Sequence, residues 1–178
     1  MSYRIANFEK AVCEAPRLPR ERLSLEEKSY ETEHGILVKW FEQNEGNWGA
    51  GFVRIAGLAI YGWMPTILRA EGRGLKRRNV DFSEIAKELN SGSIDPKHHN
   101  FLNGSYIGTS KFLHFWRPDG FAIWDRNIHK ALDLSGAVNA KANFEDYQHD
   151  ICEYRDQHGG DLRDIEFRLF CAGRGKDK

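Results

Sequence analysis

The segment from Leu102 to Leu132 carries the residues that are best placed to do chemistry. Gly104 and Gly108 lie four residues apart just before a helical run, so the backbone there can turn tightly and present amide N–H groups to an anion such as a phosphate. Asp125 follows a Pro-Asp-Gly turn and opens another helical run. The segment therefore combines an anion-binding turn with an isolated carboxylate.

Asp125 has two interpretations. Aspartate is among the commonest N-cap residues, so its carboxylate can accept hydrogen bonds from the first amides of a helix over residues 126–132. A carboxylate can also stabilise a developing positive charge and orient or deprotonate an attacking water. The spacing alone favours the cap, but the two roles do not exclude each other.

The elements that must position these residues are predicted to be helices, because apolar residues recur with helical spacing and alternation of the strand type is nearly absent. We expect a mainly α fold, with one compact domain over residues 1–178, an N-terminal extension over 1–24 and a frayed tail over 173–178. A break is expected at Pro65. The nearly apolar run 51–63 is predicted to be a helix that is buried centrally. The other helix signals are the apolar stripe Ile36, Leu37, Trp40 and Phe41, the cap Asp81 before 82–90, and the apolar repeats Phe144, Tyr147, Ile151, Tyr154 and Leu162, Ile165, Leu169.

Composition narrows the function classes. The chain has 26 basic and 26 acidic side chains, so no global charge draws it onto nucleic acid or a membrane, and any DNA binding must come from local patches. No leader or membrane-spanning run is apparent, which predicts a soluble cytoplasmic protein with no membrane partner. Three widely spaced cysteines and the adjacent pair His98 and His99 show no metal-ligand spacing, so we expect no metal and no cofactor. Without coiled-coil heptads, a monomer is expected.

The same segment resembles a known family. Residues 102–108 (LNGSYIG) are similar to the hairpin of the helix-hairpin-helix DNA glycosylase superfamily, with Asn103 in place of the family's proline and a longer glycine spacing. Ser110-Lys111-Phe112 and Ile123-Trp124-Asp125 are similar to elements of the compact bacterial proteins with an 8-oxoguanine DNA glycosylase fold. The resemblance implies a helix-hairpin-helix element followed by a Gly/Pro/Asp loop. It also implies double-stranded DNA with a damaged or modified base as the partner, and Asp125 as the catalytic aspartate.

The nucleophile is the point at which this sequence departs from bifunctional family members. In those members a hairpin lysine lies at a fixed spacing before the catalytic aspartate. The corresponding position here falls near Tyr106 or Ile107, and neither side chain carries an amine. We therefore favour a monofunctional enzyme in which Asp125 activates a water. Lys111 is the nearest lysine and is the alternative, as a Schiff-base nucleophile if a desolvated pocket activates it, or as a surface residue whose stem covers apolar neighbours.

A glycosylase must also hold DNA phosphates and receive a flipped base. We expect one phosphate contact at the basic, Gly-rich loop and a second at the hairpin amides and hydroxyls, although a charge run is often only a solvated face. Any of several aromatic residues could stack on the base, although such residues are more often core. The loop residues are Arg69, Arg73, Lys76, Arg77 and Arg78; the hairpin residues are Gly104, Ser105, Gly108, Thr109 and Ser110, with His129 nearby; the aromatic residues are Trp48, Tyr61, Trp63 and Tyr106.

Two alternatives stay open at this point. The chain could be a helix-hairpin-helix protein that binds DNA without cleaving it, in which Asp125 is only a cap. It could also be an interaction domain in a phage-defence or mobile-element setting, on the same helical scaffold. Within the glycosylase hypothesis the excised base is open: oxidised guanine follows from the resemblance, and a naturally modified base is equally compatible.

Overall fold

The computed structural model describes residues 3–17, 23–63 and 80–176. These residues form eight α-helices and one short 3₁₀ helix at Pro96–His98, with no β-strand among them, which confirms the predicted mainly α class. None of the helices described is long and apolar enough to cross a membrane. In chain order the helices are α1 (Phe8–Glu14), α2 (Leu25–Glu42), α3 (Ala50–Trp63), α4 (Phe82–Ser91), α5 (Tyr106–Trp116), α6 (Arg126–Ala131), α7 (Lys141–His158) and α8 (Leu162–Gly175).

Local signals in the sequence account for several helix ends. Asp81 caps α4 by accepting a hydrogen bond from the Ser83 amide at 2.8 Å, and α4 stops at Gly92 with φ of 80°. Asp161 caps α8 in the same way through the Arg163 amide, at 2.8 Å. These ends were predictable because a cap needs only residues that are adjacent in sequence.

Two hydrophobic cores make up the interior, and α5 contributes to both. One core joins α2, α3, α4 and α5 around rings such as Phe41 and Phe112. The other joins α1, α6, α7 and α8 around Trp124 and Tyr147, and Tyr106 at the start of α5 packs into it. Helix α5 therefore lies between the two cores, where its side chains can reach elements of either one.

Helix α3 is buried on one face only. Val53, Ala56 and Ile60 are fully buried, whereas Ile55 and Leu58 on the other face are 57% and 55% exposed. The nearly apolar sequence of α3 predicted burial all round, and that prediction is wrong for the second face. Among the described elements the helix packs on α4 and α5, and Ile55 and Leu58 lie on the more exposed face.

The N-terminal residues belong to the fold and are not an appended extension. Phe8 and Val12 of α1 are fully buried in the second core. The buried Asp150 carboxylate on α7 accepts hydrogen bonds from the amides of Arg4 and Ile5, at 3.0 and 2.7 Å. On the other side, the Arg168 guanidinium of α8 donates to the carbonyl oxygen of Val12 at 2.6 Å.

The C-terminal residues are also held in place as far as residue 176. Gly173 is buried against the backbone oxygen of Asn127 on α6, so closely that a side chain would not fit. The Lys176 ammonium donates to the Lys130 carbonyl at 2.8 Å. The predicted fraying is therefore wrong for residues 173–176. Residues 177–178 and the predicted break at Pro65 lie outside the described residues.

Candidate active site

Asp125 is both an N-cap and a partly available carboxylate. It precedes α6 in an extended conformation, and its Oδ1 accepts hydrogen bonds from the amides of Asn127 and Ile128, at 2.8 and 3.0 Å. Among the described residues, Oδ2 accepts no hydrogen bond. The cap interpretation is confirmed as geometry. The cap uses Oδ1, and no hydrogen bond to Oδ2 is present among the described residues.

Ser110 links the backbone at Asp125 to helix α5. Its buried hydroxyl accepts a hydrogen bond from the Trp124 amide at 3.0 Å and lies 2.9 Å from the Ile107 carbonyl and 3.3 Å from the Trp124 carbonyl, to which it can donate. Because Ser110 precedes Lys111 and Trp124 precedes Asp125, this link positions the lysine and the aspartate relative to each other. We expected Ser110 to contact phosphate, but the structure gives its hydroxyl an internal, structural role.

Lys111 lies in a desolvated environment. Its Nζ lies 5.3 Å from the centre of the Trp63 ring, and among the described residues it forms no hydrogen bond or ion pair. Lys111 keeps partial solvent access, yet burial among protein groups lowers its pKa, and the positive charge of Arg163 acts in the same direction. The carboxylates of Asp125 and Glu166 oppose that shift. Desolvation of this kind favours the neutral, nucleophilic amine.

A buried ion-pair network joins α8 to α2, and its charges act on Lys111 in opposite directions. The Arg163 guanidinium bridges two carboxylates, reaching Glu166 on its own helix at 2.5 Å and Glu31 on α2 at 2.6 Å. Glu166 is 1% exposed, and burial raises its pKa to about 7 against the opposing effect of Arg163. Sequence reasoning missed this pair. The available signal was that Glu166 lies four residues after Leu162 and three before Leu169, which places it on the apolar face of α8.

Two hydrogen-bonded histidines, which the sequence did not reveal either, complete the polar cluster. His114 Nδ1 lies 2.8 Å from the Phe121 carbonyl oxygen, which only accepts, so Nδ1 carries the proton. The neutral His114 ring then accepts at Nε2, and His34 Nε2–H donates to it across 2.7 Å. Burial, together with the charge of Arg163, lowers the pKa of both histidines to about 3. Both rings are therefore neutral near pH 7.

Two buried polar atoms around this cluster have no hydrogen-bond partner among the described residues. The Tyr147 hydroxyl and Trp63 Nε1 are buried without a hydrogen bond in the part of the chain that the structure describes. Burial, and the negative charges of Glu166 and Asp125, raise the pKa of Tyr147 well above its usual value. Buried polar groups are nearly always paired, and an exception calls for an explanation such as strain, an ordered water or a bound ion. The cluster is therefore the strongest candidate for a functional site.

The hairpin segment uses most of its own donors. Asn103 and Gly104 have φ of 56° and 65°, which makes the tight turn that the glycine pattern predicted. The Gly108 amide donates to the Ser105 hydroxyl oxygen at 3.2 Å, and the Tyr106 amide donates to the side chain of Asn139 at 2.8 Å. These two amides would have to give up their present acceptors to bind a phosphate.

Thr109 and the element before the turn are the two remaining features of the predicted hairpin. Thr109 is buried, and its hydroxyl oxygen accepts a hydrogen bond from the Leu102 amide at 3.0 Å, so it is structural in the same way as Ser110. The element before the turn is the 3₁₀ helix Pro96–His98, separated from α4 by a loop. The helix-hairpin-helix element itself stays a prediction.

Of the four aromatic residues proposed to contact a base, Trp63 is the one that the structure places beside Lys111. Trp48 is buried in the first core, where the Asn90 side chain pairs with its backbone. Tyr61 is buried against Gly108, where an added Cβ would lie 2.5 Å from the Tyr61 hydroxyl oxygen. The ring of Tyr106 packs 5.2 Å from that of Phe144. Burial gives Trp48, Tyr61 and Tyr106 core roles in this structure.

The remaining predicted DNA contacts are less well defined. His129 lies half-buried on α6, with its Nε2 3.4 Å from the Asn143 side-chain amide. The basic loop residues Arg69, Arg73, Lys76, Arg77 and Arg78 lie outside the described residues. Phosphate binding by that loop stays a prediction.

One cluster with metal-binding residue types lies apart in sequence from Asp125 and Lys111. Glu84 and Glu88 on α4 and His98 offer ligand atoms within 4.8 Å of one another. Lys97 approaches Glu84 at 3.1 Å, and His98 Nδ1 lies 2.9 Å from Glu88. These ion pairs and hydrogen bonds are sufficient to explain the cluster.

Compared with family models, with curated proteins and with solved structures, the chain gives no match. A function must therefore be argued from the residues and their geometry.

Proposed function

We propose that the protein is a DNA glycosylase that flips a damaged or modified base out of double-stranded DNA and breaks its N-glycosidic bond. The observation that carries the proposal is the placement of Asp125 and Lys111. A carboxylate with one available oxygen follows Trp124, a desolvated amine follows Ser110, and the Ser110 hydroxyl joins the two segments. The resemblance of the segment 102–132 to glycosylase motifs supports the same function.

The proposed chemistry uses this pair directly. Cleavage of the bond between the base and C1′ of the deoxyribose builds positive charge on the sugar, and the Asp125 carboxylate stabilises that charge in the transition state. The sequence favours a water, oriented by Asp125, as the nucleophile. The burial of Lys111 supports a second route in which its neutral amine attacks C1′. Trp63, beside that amine, is the candidate to stack on the extruded base.

The first test replaces Asp125 by asparagine. The amide oxygen of asparagine can still accept the two cap hydrogen bonds, so Asp125→Asn removes the charge and keeps the cap. We expect release of free base from duplex DNA to fall about 100-fold or more, while the free energy of unfolding changes by less than about 1 kcal/mol. Asp81→Asn, which alters a cap of the same kind on α4, should leave base release unchanged.

The substrates for this assay are duplexes containing 8-oxoguanine, other oxidised or alkylated bases, and naturally modified phage DNA. An Asp125→Asn variant with wild-type activity would remove Asp125 from the mechanism. If no substrate in the panel loses a base but DNA binds with a salt-dependent affinity, the non-catalytic DNA-binding alternative is correct. That alternative has its own support, because Asp125 does cap α6.

The second test asks which nucleophile acts. Borohydride reduces a Schiff base between an amine and the sugar to a stable covalent adduct, so an adduct lost in Lys111→Gln identifies amine attack. Lys141→Gln, at an exposed lysine on α7, is the matched control and should form the adduct normally. Base release without any trapped adduct would show that water is the nucleophile, as the sequence favours.

A further inference from the structure

A cavity of about 450 Å³ lies where helices α2 and α5 end. Its walls include Glu42, the last residue of α2, and Trp116, the last residue of α5. A volume of this size accommodates a small organic ligand. The described residues that line the cavity do not include Asp125 or Lys111, so a ligand there would use other side chains than the candidate active site does.

Aromatic side chains form one part of the cavity wall. Phe41, Trp48 and Phe115 are buried residues of the first core that also line the cavity. The centre of the Phe41 ring lies 5.5 Å from that of Trp48 and 5.8 Å from that of Phe115. Trp116 is half-buried, and the guanidinium carbon of Arg117 lies 4.7 Å from the centre of its ring. The chain itself therefore places a cation on this wall, as the electron-rich face of an indole favours.

Carboxylates form another part of the wall. Glu42, Glu45 and Asp119 line the cavity, and among the described residues their side chains form no ion pair or hydrogen bond. Arg117 is the one positively charged side chain among the described residues of the wall. Three carboxylates and one guanidinium leave two negative charges in excess. The cavity is therefore suited to a ligand with positive charge.

The C-terminal end of α5 adds partial negative charge at the same place. The carbonyl oxygens of His114, Phe115 and Trp116 accept no hydrogen bond from the described residues. Pro118, four residues after His114, has no amide hydrogen to donate. Free carbonyl groups at the end of a helix form the negative pole of its dipole and attract cations.

We propose that this cavity binds an aliphatic diamine, whose two ammonium groups match the two excess negative charges and whose methylene chain lies against the aromatic wall. Primary alkylamines, like the lysine side chain, are charged near pH 7. A neutral ligand would gain no charge attraction from the carboxylates, and an anion would be repelled by them. The proposal does not depend on the proposed function, because it concerns other residues and a ligand that is not DNA.

The experiment is calorimetric titration of the full-length protein with putrescine at low salt. We expect saturable binding of one putrescine per chain. Butylamine, which carries one charge, should bind about fivefold more weakly, and the diol of the same chain length should not bind. No binding of putrescine, equal binding of butylamine, or comparable binding of the diol overturns the proposal.

Two variants that change the charge in opposite directions locate the ligand in the cavity. Glu42→Gln/Glu45→Gln removes two negative charges and should weaken putrescine binding about tenfold. Arg117→Gln removes a competing positive charge from the Trp116 ring and should strengthen binding about fivefold. Glu33→Gln, at an exposed carboxylate of α2 outside the cavity, is the control and should bind as the wild type does.

The directions of these changes decide the outcome. The four substituted side chains are exposed, so the variants should keep the fold, which circular dichroism checks. Wild-type affinity in Glu42→Gln/Glu45→Gln would show that putrescine binds elsewhere, and weaker binding in Arg117→Gln would show that the guanidinium does not compete with it. Either result overturns the assignment of the ligand to this cavity.

Discussion

Acid should destabilise the protein through the hydrogen-bonded histidines His34 and His114. In the folded chain both rings are neutral, and burial lowers the pKa of each to about 3 from an ordinary value of 6.5. Below pH 6.5 the unfolded chain therefore binds protons that the folded chain does not bind until the pH approaches 3. Stability from these residues is fully present above 6.5 and is lost as the pH falls.

The magnitude follows from the pKa of His114, which is completely buried. At pH 5, about 1.5 units below the ordinary value, the loss is about 2 kcal/mol at roughly 1.4 kcal/mol per unit. Glu166 acts in the opposite direction, because a pKa raised to about 7 makes the folded chain bind a proton more readily than the unfolded chain between about pH 7 and 4.5. The two effects partly offset each other in the wild type.

The assay is urea unfolding at pH 7 and pH 5 for the wild type and for His114→Asn. Asparagine can still donate to the Phe121 carbonyl, and it does not titrate. We expect the variant to lose about 2 kcal/mol less than the wild type on acidification, whatever its stability at pH 7. His158→Gln, at an exposed histidine on α7, should behave as the wild type. Equal losses in the wild type and His114→Asn would refute the reasoning.

Two further substitutions test how the site is held. Gly173→Ala should destabilise the protein by about 3 kcal/mol or more, because the new Cβ would clash with the backbone oxygen of Asn127 on α6. Gly175→Ala, whose added Cβ meets nothing within 4 Å, is the control, and thermal unfolding measures both. Ser110→Ala should cost about 1–3 kcal/mol in urea unfolding, since the buried Trp124 amide loses its acceptor. The exposed Ser135→Ala should change stability by less than about 0.5 kcal/mol, and a similar loss in both serine variants would contradict the role given to Ser110.

The features that the sequence predicted well depend on residues that are close together in the sequence. The cap at Asp81 and the stop at Gly92 each involve residues one to four positions apart, so the chain itself displays the signal. The cap at Asp125 is confirmed for the same reason, and its role as a catalytic carboxylate stays a prediction. Periodicity also identified α7 and α8, because an apolar stripe is visible without knowing what it packs against.

What the sequence missed depends on residues that meet only after folding. The Ser110 hydroxyl bonds to a residue 14 positions away, and the His34 ring to one 80 positions away. Arg163 reaches Glu31 across 132 positions. The same limitation explains why Trp48, Tyr61 and Tyr106 were candidates for base contacts. The sequence does not distinguish an aromatic residue in a binding pocket from one in the core, because only its packing in the fold differs.

The attachment of α1 to the C-terminal helices also bears on how the chain folds as it leaves the ribosome. Phe8 and Val12 are buried by partners that include α7 and α8, and Asp150 and Arg168 supply the hydrogen bonds that hold this segment. A nascent chain therefore carries these apolar residues exposed until α7 and α8 have been synthesised, at the stage when aggregation competes with folding. The second core can form only after α8 has emerged. Its contacts join residues that are far apart in sequence, and such high contact order slows folding.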